Sequence, residues 1–368
     1  MSTVDERRQL SDLSPQQVIR GLLYLACIVL LLDLVRLLYV GDLTAGTLVS
    51  YGWNGVVDGL IIGLAAIGLS MTYSILRFAN FSHGDLLTTG AFSGWTVAYL
   101  IAGVGVADFS SRLLLRADGQ APPGQLDLQI LAEPLAIVAG LVVAALVTIL
   151  VALVIDRLVY RPLRDADGIS VLIASVGVAL ALRYFIALVY TSSTRSVTAS
   201  APYWEHPVIF WTDSFNLHEL TLVVSAVTLM LGVHLLLQYS KLGKSMRAMA
   251  DNKDLALITG IPTERVVFAT WVIGAGLAGV AGYLIVLDRG TITINLGWFL
   301  LLLIFAAVIL GGIGSIYGAI VGALVIGLTI NVSLVWIPAD MNEIAAFGLM
   351  ILVLLYRPDG LFGGVRTA

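Results

Sequence analysis

Long apolar runs recur along almost the whole chain, and that recurrence constrains the fold more than any single residue. Ten of them fall at about 21–40, 54–76, 86–103, 131–155, 169–190, 219–239, 265–287, 297–311, 318–337 and 343–356. Most approach the roughly 20 residues that a helix rising 1.5 Å per residue needs to cross about 30 Å of hydrocarbon. Of the 368 residues 59% are hydrophobic and only 12% charged, whereas a soluble domain is about a quarter charged and needs that charge to cover its surface. The expected fold is an all-α polytopic membrane protein with about ten transmembrane helices, some of them broken or re-entrant. The last two runs are closely joined and the tenth is short, so either is tilted or only partly spanning.

Residues 1–53 read as a polar N-terminal stretch with one extra helix. That first run is longer than the 7–15 residues of a signal-peptide core, and Asp33 and Arg36 interrupt it, which favours an uncleaved helix. With both termini on the cytoplasmic side of a cell membrane, fourteen lysines and arginines fall inside and four outside. Lysine and arginine set orientation in this sense. The loops at 104–130 and 191–218 then face outward.

The lone cysteine, Cys27, excludes a disulfide framework within the chain. His206, His218 and His234 have no metal-ligand spacing. A net charge of −4 offers nothing to nucleic acid. No cofactor, metal or catalytic residue is expected. A membrane-embedded enzyme would need paired carboxylates or histidines inside the bundle, and away from the ends of the runs only Asp33, Arg36, Asp58 and Arg183 carry charge. Asp33 and Arg36 are spaced to pair on one helix face. A passive channel or secondary transporter is the other alternative.

Three stretches ask for more than a generic bundle. Asn80-Phe81-Ser82-His83-Gly84-Asp85 breaks the pattern after the second run. Asn, Ser and Asp cap helix N-termini and Gly84 permits unusual backbone angles. A helix opening at the membrane aims free N–H groups and a positive dipole end at what lies in front of it. An ordinary turn between two helices fits the same residues. A second break holds Gly311, Gly312, Gly314 and Ser315, followed by Gly318 and Gly322. The first three glycines suit a tight or re-entrant backbone, and the last two suit close helix packing. No phosphate loop is present, because Gln238 stands where Gly243-Lys244-Ser245 would require glycine.

The third stretch, 241–262, is basic, with a partial helical apolar spacing and a stop at Gly260 and Pro262. A short amphipathic helix here lies either on lipid or in a groove of a partner protein. Ala248 and Ala256 keep its surface slim, suited to close packing against such a partner.

From about Asn54 to Gly363 the chain resembles the permeases of branched-chain amino acid ABC importers, specifically the type with an Asn-Phe-Ala-His-Gly-Glu motif. Asn80 to Asp85 matches with two conservative departures. Tyr160-Arg161-Pro162-Leu163-Arg164, Arg247 to Gly260, Leu310 to Ala319, and Arg357-Pro358 with Gly360 and Gly363 are similar to further family elements. Tyr317 stands where proline is usual, and Leu303-Ile304-Phe305 where the family often carries a lysine before Ala-Phe. Permeases for urea, short amides and other small polar solutes share these motifs, so the solute stays open.

The resemblance implies a permease domain over 54–363, a short tail at 364–368, and no enzymatic activity in this chain. Asn80, Ser82, His83, Gly84, Asp85, Gly311, Gly312, Gly314 and Ser315 would line or gate the pathway. Gly243, Arg247, Ala248, Asn252, Ala256 and Gly260 would serve the coupling loop. The implied partners are two cytoplasmic ABC ATPase subunits, a second homologous permease that completes the pore, an extracytoplasmic solute-binding protein, and membrane lipid. Elements 80–85 and 311–319 invite comparison as parts of an internal duplication, although their residue-level similarity is weak.

Overall fold

The computed structural model describes residues 15–104, 126, 128–164, 166–198, 203–204 and 215–363. Most of the loop expected to face outward at 104–130, the first fourteen residues and the tail at 364–368 lie outside these. The chain divides into two compact units, one holding residues 1–50 and 207–212 and the other the rest.

In the first unit, helix α1 (Pro15–Val40) carries the run expected at 21–40. Tyr24, Leu25, Ile28, Leu31, Leu32 and Val35 are exposed, as suits a helix bathed in lipid. Arg36 Nε meets Asp33 Oδ1 at 2.8 Å, the pairing that their spacing predicts. Helix α2 (Ala45–Leu76) begins in this unit and passes into the second.

The second unit continues with α3 (His83–Ala102), α4 (Pro134–Ile155) and α5 (Gly168–Tyr190). Two-residue strands β1 (Arg195–Ser196), β2 (Tyr203–Trp204) and β3 (Phe215–Asn216) follow. Next come α6 (Leu217–Tyr239), the short α7 (Lys241–Asp251) and α8 (Lys253–Ile258), and α9 (Thr263–Arg289). Strand β4 (Thr291–Ile292), α10 (Leu296–Gly311), α11 (Ile316–Val332) and α12 (Glu343–Tyr356) complete it. β1 pairs antiparallel with β4, and β2 with β3.

Among the described residues, six helices are long and apolar enough to span a membrane, with α10 and α12 as shorter apolar helices. The fold is therefore an all-α polytopic membrane protein. The expectation of about ten spans is met only to this extent, and α3 shows one reason. It is polar for a span because most of its residues are buried against other helices rather than lipid, including His83, Asp85 and Thr88.

Helices sort into an inner and an outer set. The apolar windows of α2 and α9 are 89% and 83% buried, against 28% for α4 and 22% each for α5 and α6. Each outer helix buries one narrow stripe, and on α4 it is made mostly of small residues. On α4 that stripe is Ala136, Gly140, Ala144, Thr148 and Ala152, every fourth position, while Leu135, Val138, Val142, Leu146 and Leu150 face outward. Without a hydrophobic drive between helices in lipid, small stripes let backbones approach and gain dispersion contact. Leucines and valines on the other face cover the helix against hydrocarbon.

Candidate translocation site and coupling segment

The first break begins at Arg77, which takes a left-handed φ of +61°, rare for a residue with a side chain. From there the chain turns back into the bundle instead of leaving it. His83 Nε2 lies 2.9 Å from the carbonyl oxygen of Ala65, roughly 16 Å back along α2 from its end at 1.5 Å per residue. Helix α3 thus opens deep inside the bundle, and an ordinary turn at the membrane surface does not describe it.

Side chains hold the turned-back segment. Asn80 Oδ1 accepts from Ser82 N at 3.1 Å and Ser82 Oγ at 2.7 Å, and from the Tyr160 hydroxyl at 3.2 Å. Ser82 Oγ and Tyr160 Oη also share a 2.7 Å hydrogen bond. Phe81 N donates to Ser175 Oγ of α5 at 3.1 Å. Tyr160 is aimed here by a single π-helical turn, Asp156–Tyr160, that extends α4; such turns recur at functional sites. Its ring stacks on Trp271 of α9 at 5.3 Å and 5°, and Trp271 Nε1 donates to Asp156 Oδ1 at 2.8 Å. Asn80, Ser82, His83 and Asp85 are all at most 1% exposed, so this conformation is closed around them.

Asp85 does not present a free charge. It accepts from Arg183 Nε and Nη2 at 3.1 and 3.0 Å, and the guanidinium sits 4.6 Å from the Trp298 ring centroid. The sequence marks Arg183 only as a charge inside an apolar run, which is the signal available to find it. A carboxylate in the first turn of α3 is also favoured by the helix dipole.

Gly84 is needed for a different reason than expected. Its φ is not positive; instead a Cβ there would lie 2.9 Å from the carbonyl carbon of Gly297 and 3.0 Å from Leu301 Cβ. Helices α3 and α10 meet backbone to backbone at this point. Thr88 Oγ1 ties them by accepting from Gly297 N at 3.0 Å.

The second break, between α10 and α11, is backbone-built. Gly312 and Gly314 take φ of +107° and +89°, as the tight-backbone reading expects. Ser315 caps α11 by accepting from Gly318 N at 3.0 Å. A Cβ on Gly311 would collide with the Gly318 backbone, and one on Gly322 would lie 3.0 Å from Gly311 N, so Gly318 and Gly322 serve close packing. Gly360 and Leu361 press against this turn, with Leu361 N donating to Leu310 O at 2.9 Å. Ser74 of α2 donates to Ser70 O at 2.8 Å and to Gly314 O at 3.0 Å, which ties the end of α2 to the second break.

The segment 241–262 forms two short helices. Ser240 caps α7 and Asn252 caps α8, accepting from Gly243 N and Leu255 N, each at 2.9 Å. Gly260, at φ +84°, ends α8. Gly243 packs against the end of α6, where a Cβ would sit 2.6 Å from Leu236 O. Arg247 reaches Gln238 Oε1 at 3.3 Å, and Ala248 is half-buried. Ala256 departs from its expected place: it is 3% exposed inside this chain's own core and presents nothing to a partner. The exposed apolar side chains are Leu255, Leu257 and Ile258 at 55%, 58% and 79%, because a six-residue helix pinned by Ala256 turns its other faces outward. The Arg77 guanidinium donates to the Ala250 carbonyl, so the first break and α7 are joined directly.

Residues 53–354 match the branched-chain amino acid transport system / permease component family. The chain belongs to this family. The high-affinity branched-chain amino acid transport system permease protein LivH of Escherichia coli K12 is 31% identical over 315 residues, covering 84% of this chain and 94% of that protein. BraD of Pseudomonas aeruginosa, a permease protein of the same description, is 30% identical with the same coverage. LivM of Escherichia coli K12, also a high-affinity branched-chain amino acid permease protein, is 29% identical over 34% of this chain and 29% of its own length. No solved structure matches. The stretch matched to the family contains the first break, the second break and the segment 241–262.

Proposed function

We propose that the chain is one of two homologous permease subunits of an ATP-binding-cassette importer and forms half of the translocation pathway for branched-chain amino acids. One of two ATPase subunits would dock on α7 and α8 on the cytoplasmic side, where both termini would also lie. A solute-binding protein would deliver solute to the opposite face. Similarity to LivH and BraD over most of the chain supports the solute class, and the shorter similarity to LivM supports a second, related permease.

The observation that carries the mechanism is the join from Arg77 to Ala250. ATP-driven movement of a subunit seated against Leu255, Leu257 and Ile258 would displace α7, and with it the strained residue that begins the first break. Asn80, Ser82, His83, Gly84 and Asp85, together with Gly311, Gly312, Gly314 and Ser315, are the hinge and gate in this reading. The closed cluster would open as the bundle changes between two states. Affinity purification from the native membrane tests it. An ABC ATPase and a second permease should co-purify in stoichiometric amounts, and recovery of the chain alone under gentle detergent, without either, would contradict the assignment.

A further inference from the structure

A cavity of about 270 Å³ lies among α2, α9, α10, α11 and α12, lined by Asp58, Arg289, Asn331, Asn342 and Glu343 over an apolar floor that includes Ile62 and Leu303. It occupies the end of the bundle opposite α7 and α8. Its floor at Ile62 lies less than one helical turn along α2 from Ala65, whose carbonyl meets His83.

Two opposite charges in it are held apart. Asp58 Oδ2 accepts from Asn331 Nδ2 at 2.8 Å, which orients the carboxylate. Among the described residues the Arg289 guanidinium makes no ion pair or hydrogen bond. It therefore has no carboxylate oxygen within 4 Å, Asp58 included. Asp58 is half-buried within the cavity, and Arg289, the last residue of α9, is exposed at its mouth. A fixed carboxylate in a small cavity and a guanidinium at its mouth, whose charge also acts on the neighbouring Asp288, are complementary to a molecule that carries its own cation and anion.

We infer that this cavity binds the amino-acid solute by its two charged groups, the α-ammonium on Asp58 and the α-carboxylate on Arg289, with the aliphatic side chain toward Ile62 and Leu303. Arg suits a carboxylate because its planar fork donates two parallel hydrogen bonds. Glu343 is exposed at the rim, whereas the Asp58 carboxylate is half-buried and oriented by Asn331, so Asp58 is the group assigned to the ammonium. The inference rests on the proposed amino-acid importer and adds which residues recognise the zwitterion.

The test is equilibrium binding of radiolabelled leucine to the purified permease–ATPase complex, without binding protein, in competition with 3-methylbutylamine and 4-methylpentanoate. The amine lacks the carboxylate and the acid lacks the ammonium. Leucine should bind, and each analogue should compete at least tenfold more weakly. Arg289→Gln should weaken leucine at least tenfold and erase its advantage over the amine; Asp58→Asn should erase its advantage over the acid. Rescue by Asp58→Glu separates charge recognition from a structural loss. Absence of leucine binding to the wild-type complex, or variants that fold and keep both preferences, would overturn the site. Leucine uptake by cells expressing the wild-type transporter would in either case leave the importer reading standing, and its absence would remove both.

Discussion

At residues 77–82 the chain is held in place by side chains that exchange hydrogen bonds, whereas at 312–315 it is held mainly by backbone pressed on backbone, with Ser74 and Ser315 adding one hydrogen bond each. Asn80, Ser82 and Tyr160 close the first break with three polar groups around one amide oxygen. The second has Gly311 against Gly318 and Gly360 against Gly312, with no room for a methyl group. A hydrogen-bonded joint can open by exchanging partners, one at a time. A glycine joint is either packed or not. The first therefore suits a gate, and the second a fulcrum about which α10 and α11 move as one piece. Ser74 and Arg77, both at the end of α2, connect the pair to each other and to α7.

Substitutions that break the two joints should fail in different ways. The largest effect belongs to Asp85→Ala, which leaves Arg183 buried and uncompensated beside the first break. Removing one partner of such a pair typically costs about 3–5 kcal/mol, so detergent-solubilised protein should lose most of its folded fraction. A melting curve that overlays the wild type would show that the pair does not hold α3. Gly311→Val comes next: overpacking of a close contact costs about 1–3 kcal/mol. It should lower melting temperature and uptake together, as expected of a fulcrum; uptake loss with unchanged stability would place the gate there instead.

Tyr160→Phe removes one hydroxyl from the first break and leaves the ring stack intact. A buried group left without its partner costs about 1–3 kcal/mol, and transport should fall several-fold more than surface expression does. Equal losses in both would make the first break a structural joint like the second. Smallest for the fold is Leu257→Glu on the exposed face of α8, within roughly 0.5 kcal/mol of wild type. The same change should cut co-purified ATPase at least tenfold. Ala256→Glu, by contrast, buries a charge within the chain and should reduce its expression, and Lys253→Ala should change neither. Retained ATPase with Leu257→Glu would free α7 and α8 from docking.

How much of this is legible in the sequence depends on the kind of force involved. Helix positions are legible because burial in lipid demands long apolar runs. Both breaks are visible as clusters of Asn, Ser, Gly and Asp. Their depth is not: that α3 starts beside Ala65 depends on a contact across the bundle, and no local pattern encodes it. Gly84 stands out for backbone freedom, yet its role is to let Gly297 approach, a partner far away in the chain. Ala256 reads as part of a partner surface because a short helix with alanines looks the same from either side. Which face turns inward is decided by α9, not by the helix itself. Arg77, the one strained residue of the first break, gives no signal beyond its charge.

ATP-dependent leucine uptake into sealed vesicles that hold the complex purified from the native membrane tests the central claim most directly. With binding protein outside and ATP supplied to the ATPase side, leucine should accumulate above its external concentration, and accumulation should vanish when ATP is omitted. Equal uptake with and without ATP would make the chain a channel or secondary carrier, and would contradict a coupling role for the join between Arg77 and Ala250.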